Sequence, residues 1–329
     1  TEDLSFLMWG NNDGSTSFDV DVSMEGFDNT TVHMGRVWKV QTTNFDNDEN
    51  ELTLCFDQTG ERYLLIDNDD DSFDFATTSE IELDFATGCV TLLAGQLPNG
   101  SFFTLGTKIT GPACVNAGIQ MWLRADYGAT PAQWADFSGN TVTASQATAA
   151  NQPVLDNAGV NYNPAMQFDG SNDFYRIPTS LQTGFPTGDS DRTIFVAGQH
   201  NSTAWRTIFD FGNNATSQNH SWRFENGTIR YIGWGNDFTA GSAFTVNEPF
   251  IAMFDHDDAT QATTINTFGE QLVSSNRTYN TNLVDEARIG SRFAAGEYWV
   301  GPITEIVVYS RKLDAVEAQQ VNSYLALKY

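Results

Sequence analysis

Basic residues are scarce in this chain. Its 329 residues include 16 lysines and arginines against 42 aspartates and glutamates, which gives a formal net charge of −26. A protein that binds nucleic acid needs a positive surface to neutralise phosphates, and the composition offers no such excess. We therefore expect no nucleic-acid partner.

Long apolar runs and catalytic fingerprints are also missing. Without a run of about 18 apolar residues, the sequence predicts no insertion into a membrane. The serine-hydrolase, zinc-protease, Walker A and dinucleotide-binding motifs are absent. The four histidines have no metal-ligand spacing, so a zinc site is not expected; they are His33, His200, His220 and His256. Because Thr1–Gly14 is polar and strand-like, no signal peptide is visible, and we interpret the chain as a fragment of a longer secreted protein.

Cysteine is rare as well. With only three cysteines, the chain can form at most one internal disulfide and keeps one thiol. Cys55 can pair with either Cys89 or Cys114, and the sequence leaves this choice open. No cysteine lies beside a histidine, so a catalytic thiol is not expected.

Charge divides the chain near residue 110. Residues 1–110 contain 21 acidic and 4 basic residues, whereas residues 111–329 contain 21 and 12. Both parts alternate apolar and polar residues between Asn, Asp and Gly turns, which predicts β-strands. About seven short strands in residues 1–110 favour a small immunoglobulin-like β-sandwich. The strands that follow suit a jelly roll, and helical spacing begins only after Leu313, which predicts a short C-terminal helix.

Two end signatures point to a family. Gly118–Asp126 (GIQMWLRAD) and Gly301–Tyr329 (GPITEIVVYSRKLDAVEAQQVNSYLALKY) resemble the opening strand and the closing strand and helix of bacterial modules. These are laminin-G-like, concanavalin A-like jelly-roll modules of large secreted surface adhesins of the RTX type. The resemblance implies an all-β lectin-type jelly roll at residues 113–329, in an extracellular adhesin of the cell surface and of biofilms.

A second resemblance concerns the first 110 residues. The segments FLMWGNND, RVWKVQ, YLLIDNDDDSF and SFFTLGT are similar to the C-terminal half of a split β-sandwich in giant adhesins. It implies that residues 1–110 form an acidic unit that is the second half of a split domain. The implied partners are other domains of the same protein and a glycan on a host or neighbouring cell.

Sugar binding requires aromatic rings for stacking and planar polar groups for hydroxyls. The segment from His200 to Phe238 contains this mixture, and Trp234 is the first choice because Gly233 and Gly235 leave room for a ligand. The predicted ligand set is Trp234, Trp205, Asn236, Asp237, His220, Asp210 and Asn213. The alternative is that these aromatic residues belong to the core.

Aspartate clusters suggest calcium. Asp67, Asp69 and Asp71 have the alternating spacing of a calcium-binding loop, although the glycine and glutamate of an EF-hand are missing. The resemblance implies further calcium ligands in loops at the sheet rim, and the candidates are Asp169, Asp173, Asp255 and Asp257. The alternative is an acidic, solvated set of turns, since Asp and Asn are common in turns without a metal.

Two other functions compete with glycan binding. Glu80, Glu82 and Asp84 lie on one strand face and resemble the acidic strand of concanavalin A-like glycoside hydrolases, whose retaining mechanism needs two carboxyls about 5 Å apart. Their order differs from that pattern, so we predict a non-catalytic glycan-binding region with calcium-stabilised loops. A structural spacer in an adhesin stalk is the first alternative and a glycoside hydrolase is the second.

Overall fold

The computed structural model describes residues 6–14, 18–23, 31–43, 52–56, 62–71, 73, 78–84, 87–93, 95–108, 110–293 and 296–329. The chain consists of two compact units, Thr1–Ile109 and Thr110–Tyr329. Antiparallel strands dominate both units, which confirms the predicted all-β class. Within the described part of the chain, no helix is long and apolar enough to cross a membrane.

The first unit consists of short antiparallel strands. Those in its described residues are β1 Phe6–Asn11, β2 Phe18–Ser23, β3 Thr31–Met34, β4 Trp38–Thr43, β5 Leu52–Cys55, β6 Tyr63–Asp67, β7 Thr78–Glu82, β8 Cys89–Leu92 and β9 Phe102–Lys108. Strand β9 lies at the centre of the main sheet, because it pairs with β6 along one edge and with β4 and β3 along the other. The interpretation of residues 1–110 as half of a split domain stays a prediction.

A disulfide-linked ribbon covers this sheet. Strands β5 and β8 pair only with each other among the described strands, and Cys55 is bonded to Cys89 directly across the ribbon. Cys114 therefore lies outside the disulfide, and it is exposed. Leu54 and Val90 of the ribbon pack in one buried cluster with Leu64 and Phe103 of the main sheet. The first unit is thus a small two-layer sandwich.

The second unit has two larger sheets. Its described strands are β10 Ile119–Arg124, β11 Gln133–Trp134, β12 Ala144–Ser145, β13 Val154–Val160, β14 Asn163–Asp169, β15 Tyr175–Ile177, β16 Arg192–Gln199, β17 Arg206–Gly212, β18 Asn219–Glu225, β19 Thr228–Ile232, β20 Phe238–Ala240, β21 Pro249–His256, β22 Ala262–Thr267, β23 Glu270–Asn276, β24 Ala287–Ile289 and β25 Val300–Tyr309. Short 3-10 turns occur at Pro112–Cys114, Ala149–Asn151 and Thr179–Leu181.

The two sheets enclose one aromatic core. Sheet I has the order β13-β14-β25-β16-β21-β22-β23, with β10 also paired to β25, and sheet II has the order β11-β12-β15-β24-β17-β18-β19-β20. Side chains alternate between the two faces of a strand, so every second residue of a strand in sheet II faces sheet I. Phe209, Phe211, Trp222 and Phe224 are all buried in this core. The residues between them point away from it.

Helix α1, Ala315–Lys328, closes the chain. It begins at Asp314, whose carboxylate accepts hydrogen bonds from the backbone N–H groups of Val316 and Glu317 in a capping box. Val321 and Leu325 are fully buried, but Val316 is 68% and Leu327 91% exposed, so only some of the apolar side chains of the helix face the protein.

A buried carboxylate explains why the two end signatures occur together. Glu305 of β25 has no exposed surface, and its carboxylate accepts hydrogen bonds from both signatures. The donors to it are Trp122 Nε1, Tyr324 Oη, Lys328 Nζ and Tyr329 Oη. Lys328 also lies 3.0 Å from Asp126, which forms a bidentate ion pair with Arg124. We call these seven residues the Glu305 network.

Candidate functional site

Arginines are concentrated on the outward face of sheet II. Although residues 111–329 contain only 12 basic residues, five of them lie on or beside this face. They are Arg176 on β15, Arg288 on β24, Arg223 on β18, Arg230 on β19 and Arg292 just after β24. We call this surface the arginine face.

Two of these arginines oppose each other on neighbouring strands. The turn at Asn226-Gly227 sets the register of the β18–β19 hairpin, which places Arg223 directly across from Arg230. Like charges in this position destabilise a sheet. Arg223 is also only 7% exposed, and burial lowers the pKa of its guanidinium. The placement of these two arginines side by side therefore lowers the stability of the sheet.

Trp205 contacts both arginines of this pair. The guanidinium carbon of Arg223 lies 5.4 Å from the centre of its ring and that of Arg230 lies 5.2 Å away, both within cation–π range. The Trp205 side chain is partly exposed. A flat aromatic surface and two guanidinium groups thus lie side by side.

Glu297 connects this pair to the second tryptophan. One carboxylate oxygen of Glu297 lies 2.9 Å from Arg223 Nε and accepts a hydrogen bond from Thr207, while the other lies 3.8 Å from Arg292 Nη1. The Arg292 guanidinium in turn lies 4.9 Å from the centre of the Trp234 ring. A continuous series of contacts therefore links Trp205 to Trp234.

Trp234 has a strained backbone. Its φ of 50° lies in the left-handed region, which is rare for a bulky residue and is found most often at functional sites. Its indole N–H donates to the Asn214 side chain over 3.1 Å, and the ring is partly exposed. The Asp237 carboxylate fixes the turn by accepting a hydrogen bond from the Gly233 N–H at 3.0 Å.

The other predicted polar ligands have partners near this turn. Asp237 lies 3.6 Å from Arg230, so it borders the arginine face. The Asn236 amide donates to the Thr278 carbonyl at 2.6 Å, and the Asn213 amide donates to the Gln218 side chain at 2.9 Å. All three side chains are partly exposed.

His220 and Asp210 are not surface residues, and this corrects the predicted ligand set. His220 has no exposed surface, stacks 4.5 Å from the Phe211 ring and accepts a hydrogen bond from Trp222 Nε1. Burial lowers its pKa well below the ordinary value. Asp210 is 1% exposed and accepts hydrogen bonds from Asn219 and the Phe293 backbone, and burial raises its pKa to about 6. Neither side chain can contact a ligand on the outer surface.

The first calcium prediction shifts by one residue. Asp67, Asp69 and Asp70 bring carboxylate oxygens within 4.8 Å of one another, and Asp71 is not in this group. Asp67 is fully buried and accepts hydrogen bonds from the backbone N–H groups of Asp69 and Asp70 and from the Thr78 hydroxyl. The turn is therefore ordered by its own hydrogen bonds.

A second acidic group lies at the edge of sheet I. Asp257, Asp191 and Asp258 also place carboxylate oxygens within 4.8 Å of one another. Lys312 lies 3.4 Å from Asp257 and 4.0 Å from Asp255, and the Asp255 carboxylate accepts a hydrogen bond from Thr264. Asp257 thus belongs to this acidic group, whereas Asp255 lies outside it and pairs with Thr264 and Lys312.

The remaining predicted metal ligands form a turn. The Asp173 carboxylate accepts a hydrogen bond from the Asp169 N–H at 3.0 Å, and Asp169 accepts one from the Ser171 N–H at 2.8 Å. Burial raises the pKa of Asp173 to about 6. These contacts are those of a polar turn, and the two residues are not in either of the carboxylate groups described above.

The carboxylates of the hydrolase alternative lie in the first unit. Glu80 and Glu82 of β7 are paired across from Leu65 and Tyr63 of β6. Asp84 follows the strand, and its carboxylate accepts hydrogen bonds from the N–H and hydroxyl of Thr87. Asp84 therefore serves to fix a turn.

An open groove of about 960 Å³ lies at the end of the sandwich. Phe244, Phe268 and Leu272 line it together with Glu248 and Glu270, and none of its lining residues is basic. The arginine face differs because it combines ring surfaces with buried cationic donors. We therefore take the arginine face as the candidate site.

Comparisons with known proteins complete the description. A family model described as "Domain of unknown function (DUF8202)" matches residues 1–101. The search of curated proteins finds no match.

Parts of the chain are similar to solved structures at low sequence identity. The binding domain of botulinum neurotoxin serotype D is 13% identical, with a TM-score of 0.48 over 66% of this chain and 52% of that chain. Domain 4 of AbnA, an extracellular arabinanase of Geobacillus stearothermophilus in complex with arabinotriose, is 12% identical, with a TM-score of 0.46 over 62% of this chain and 98% of that chain. NanB with Optactamide is 15% identical, with a TM-score of 0.40, and this chain spans 26% of its length. Likeness at this level does not transfer a function.

Proposed function

We propose that the second unit binds a glycan on the arginine face. The observation that carries this proposal is the placement of Trp205 and Trp234. The other four tryptophans of residues 111–329 are buried, whereas these two are partly exposed on the outward face of one sheet and are linked by polar contacts. Aromatic rings beside fixed polar groups suit the apolar faces and hydroxyls of a sugar.

The ligand set follows from this geometry. Trp205 and Trp234 supply ring surface, Asn236 and Asp237 supply polar groups from the β19–β20 turn, and Asn213 supplies an amide from the neighbouring β17–β18 loop. Sequence reasoning missed Arg223, Arg230, Arg292 and Glu297. The available signal was the hairpin itself, because a two-residue Asn-Gly turn places residues 223 and 230 opposite each other.

A glycan array with the full chain tests this proposal. The wild-type protein is expected to bind at least one glycan, and Trp234→Ala is expected to reduce that binding at least tenfold because a stacking surface is lost. Tyr162→Ala is the matched control, since Tyr162 is 93% exposed and lies on sheet I between β13 and β14. Absence of binding to every neutral and acidic glycan would favour the spacer alternative.

We also propose that calcium stabilises the two acidic groups, Asp67-Asp69-Asp70 and Asp191-Asp257-Asp258. Each offers three carboxylate oxygens within 4.8 Å, and hard oxygen ligands suit calcium. Calcium added after chelation is expected to raise the melting temperature, and Asp70→Asn with Asp258→Asn is expected to reduce that shift. Glu270→Gln is the control. If added calcium leaves the melting temperature of the wild-type protein unchanged, the calcium proposal is wrong.

The wider setting is an extracellular adhesin in this proposal. The Cys55–Cys89 disulfide supports it, because disulfides form and persist in oxidising, extracellular surroundings. The acidic surface keeps such a protein well hydrated. Surface labelling of intact cells with an antibody against the second unit tests this location.

A further inference from the structure

The arginine face has cationic donors that the fold leaves unused. Among the described residues, Arg223 Nη2, Arg230 Nε and Arg292 Nε are buried and have no hydrogen-bond partner. An unpaired buried donor loses its hydration without compensation, and the loss is larger for a charged group. Such donors are expected where a ligand supplies the missing acceptor.

The arginines of the face outnumber the carboxylates that pair with them. Five arginines share three ion-pair partners, which are Glu286, Glu297 and Asp237. Glu286 pairs with Arg176 and Arg288, and Glu297 is divided between Arg223 and Arg292 at 2.9 and 3.8 Å. A fourth carboxylate, Asp210, lies buried below with hydrogen-bond partners of its own. A positive excess therefore remains on the face.

We propose that Arg223 and Arg230 bind an anionic group of the glycan, either a carboxylate or a sulfate. This anion competes with the Glu297 carboxylate, and the proposal rests on the glycan site proposed above. The planar guanidinium groups offer paired N–H donors that match the oxygens of either anion. An anion between them also relieves the repulsion between two like charges on adjacent strands.

The Glu297 carboxylate already occupies a position beside Arg223 that such an anion would take. It approaches Arg223 Nε, is held there by the Thr207 hydroxyl, and is only loosely shared with Arg292. Its side chain is 23% exposed, so solvent and ligands can reach it. Since an internal carboxylate fits this position, the carboxylate or sulfate of a sugar fits it by the same chemistry.

The test compares acidic and neutral forms of one polymer. Full-length protein is titrated with polygalacturonate and its methyl ester, with dextran sulfate and dextran, and on an array of paired neutral, carboxylated and sulfated glycans. We expect binding to the acidic member of a pair, a loss of at least tenfold in Arg223→Gln, and a gain of several fold in Glu297→Gln. Arg311→Gln, which changes an arginine after β25 that is hydrogen-bonded to Glu317 and to the Ala117 carbonyl, is the matched control.

The two proposals fail in different ways. Equal binding of neutral and acidic partners, with no change in Arg223→Gln, overturns the anion site but leaves the glycan site standing. No binding in any arm overturns both. The carboxylated and sulfated arms identify which anion is used. Circular dichroism confirms that each variant is folded, and Arg223→Lys, which keeps the charge but loses the planar fork, is expected to bind between wild type and Arg223→Gln.

Discussion

The Glu305 network and the arginine face contain the same kinds of residue but differ in how fully they are paired. In the Glu305 network, four side chains donate to one buried carboxylate, and Arg124 pairs with Asp126 through two hydrogen bonds. On the arginine face, three buried guanidinium nitrogens have no partner among the described residues.

This difference separates a structural role from a binding role. A fully paired buried network fixes the position of β10, β25 and helix α1, and adding a ligand there would only break existing bonds. Incomplete pairing costs stability, and a fold tolerates this cost where a ligand restores the missing contacts.

Glu305→Gln is expected to cost about 3 kcal/mol of unfolding free energy. The change leaves the Lys328 ammonium and two tyrosine hydroxyls around a neutral amide, and removal of one partner from a buried ionic network is strongly destabilising. Urea unfolding followed by tryptophan fluorescence measures it, because six of the eight tryptophans lie in residues 111–329. Exposed Glu270→Gln is the control, and an equal loss in both variants would contradict the structural role.

His200 provides an intermediate case with a pH signature. It is fully buried among Phe224, Phe244 and Trp299, and neither ring nitrogen has a partner in the described part of the chain. Burial, and next Arg206, lowers its pKa to about 4. The folded protein therefore binds this proton less readily than the unfolded chain, so stability is fully present above about pH 6.5 and is lost as the pH falls toward 4.

His200→Phe is expected to remove roughly 2 kcal/mol of the stability loss between pH 7 and pH 5. Urea unfolding of wild type and variant at both pH values measures the difference. His33→Phe is the comparison, since that imidazole lies in the first unit and has a backbone partner at Met34. Parallel pH profiles for wild type and His200→Phe would show that His200 does not titrate on unfolding.

The smallest effects are expected when Arg124 and Arg230 are each replaced by methionine. Arg124→Met should cost about 1.5 kcal/mol, because it breaks two charge-assisted hydrogen bonds to Asp126. Arg230→Met should change stability by less than about 0.5 kcal/mol, since the lost contact to Asp237 at 3.6 Å is offset by relief of the repulsion from Arg223. A larger loss for Arg230→Met than for Arg124→Met would reverse the contrast.

Much of the fold was predictable from local pattern. Apolar runs between turn residues predict strands at Thr193–Gln199, Thr207–Phe211, Phe250–Asp255 and Trp299–Tyr309, which agree within one residue at each end with β16, β17, β21 and β25, and the helix begins within two residues of Leu313. Each has dense apolar alternation or clear turn residues at its ends. The pattern predicts none of β13, β14, β22 and β23, because Gly or Pro interrupts the first two and the last two are rich in Asn, Thr, Ser and Gln.

The candidate site was only partly predictable. Turns and aromatic residues are visible in the sequence, and in the structure Trp205, Trp234 and Asp237 are partly exposed; their role as ligands stays a prediction. The prediction for His220 was wrong because side chains alternate along His220-Ser221-Trp222-Arg223. In the structure His220 and Trp222 face the core, whereas Arg223 faces outward. The phase of a strand is decided by which face is covered.

The sequence by itself determined the all-β class, the position of the helix, and the pairing of Arg223 with Arg230 through a two-residue turn, because these depend on neighbours in the chain. Only the tertiary structure decided which cysteine bonds to Cys55, which residues meet at Glu305, and that Glu297 reaches Arg223. Those contacts join residues far apart in the chain, and the packing of whole sheets places them.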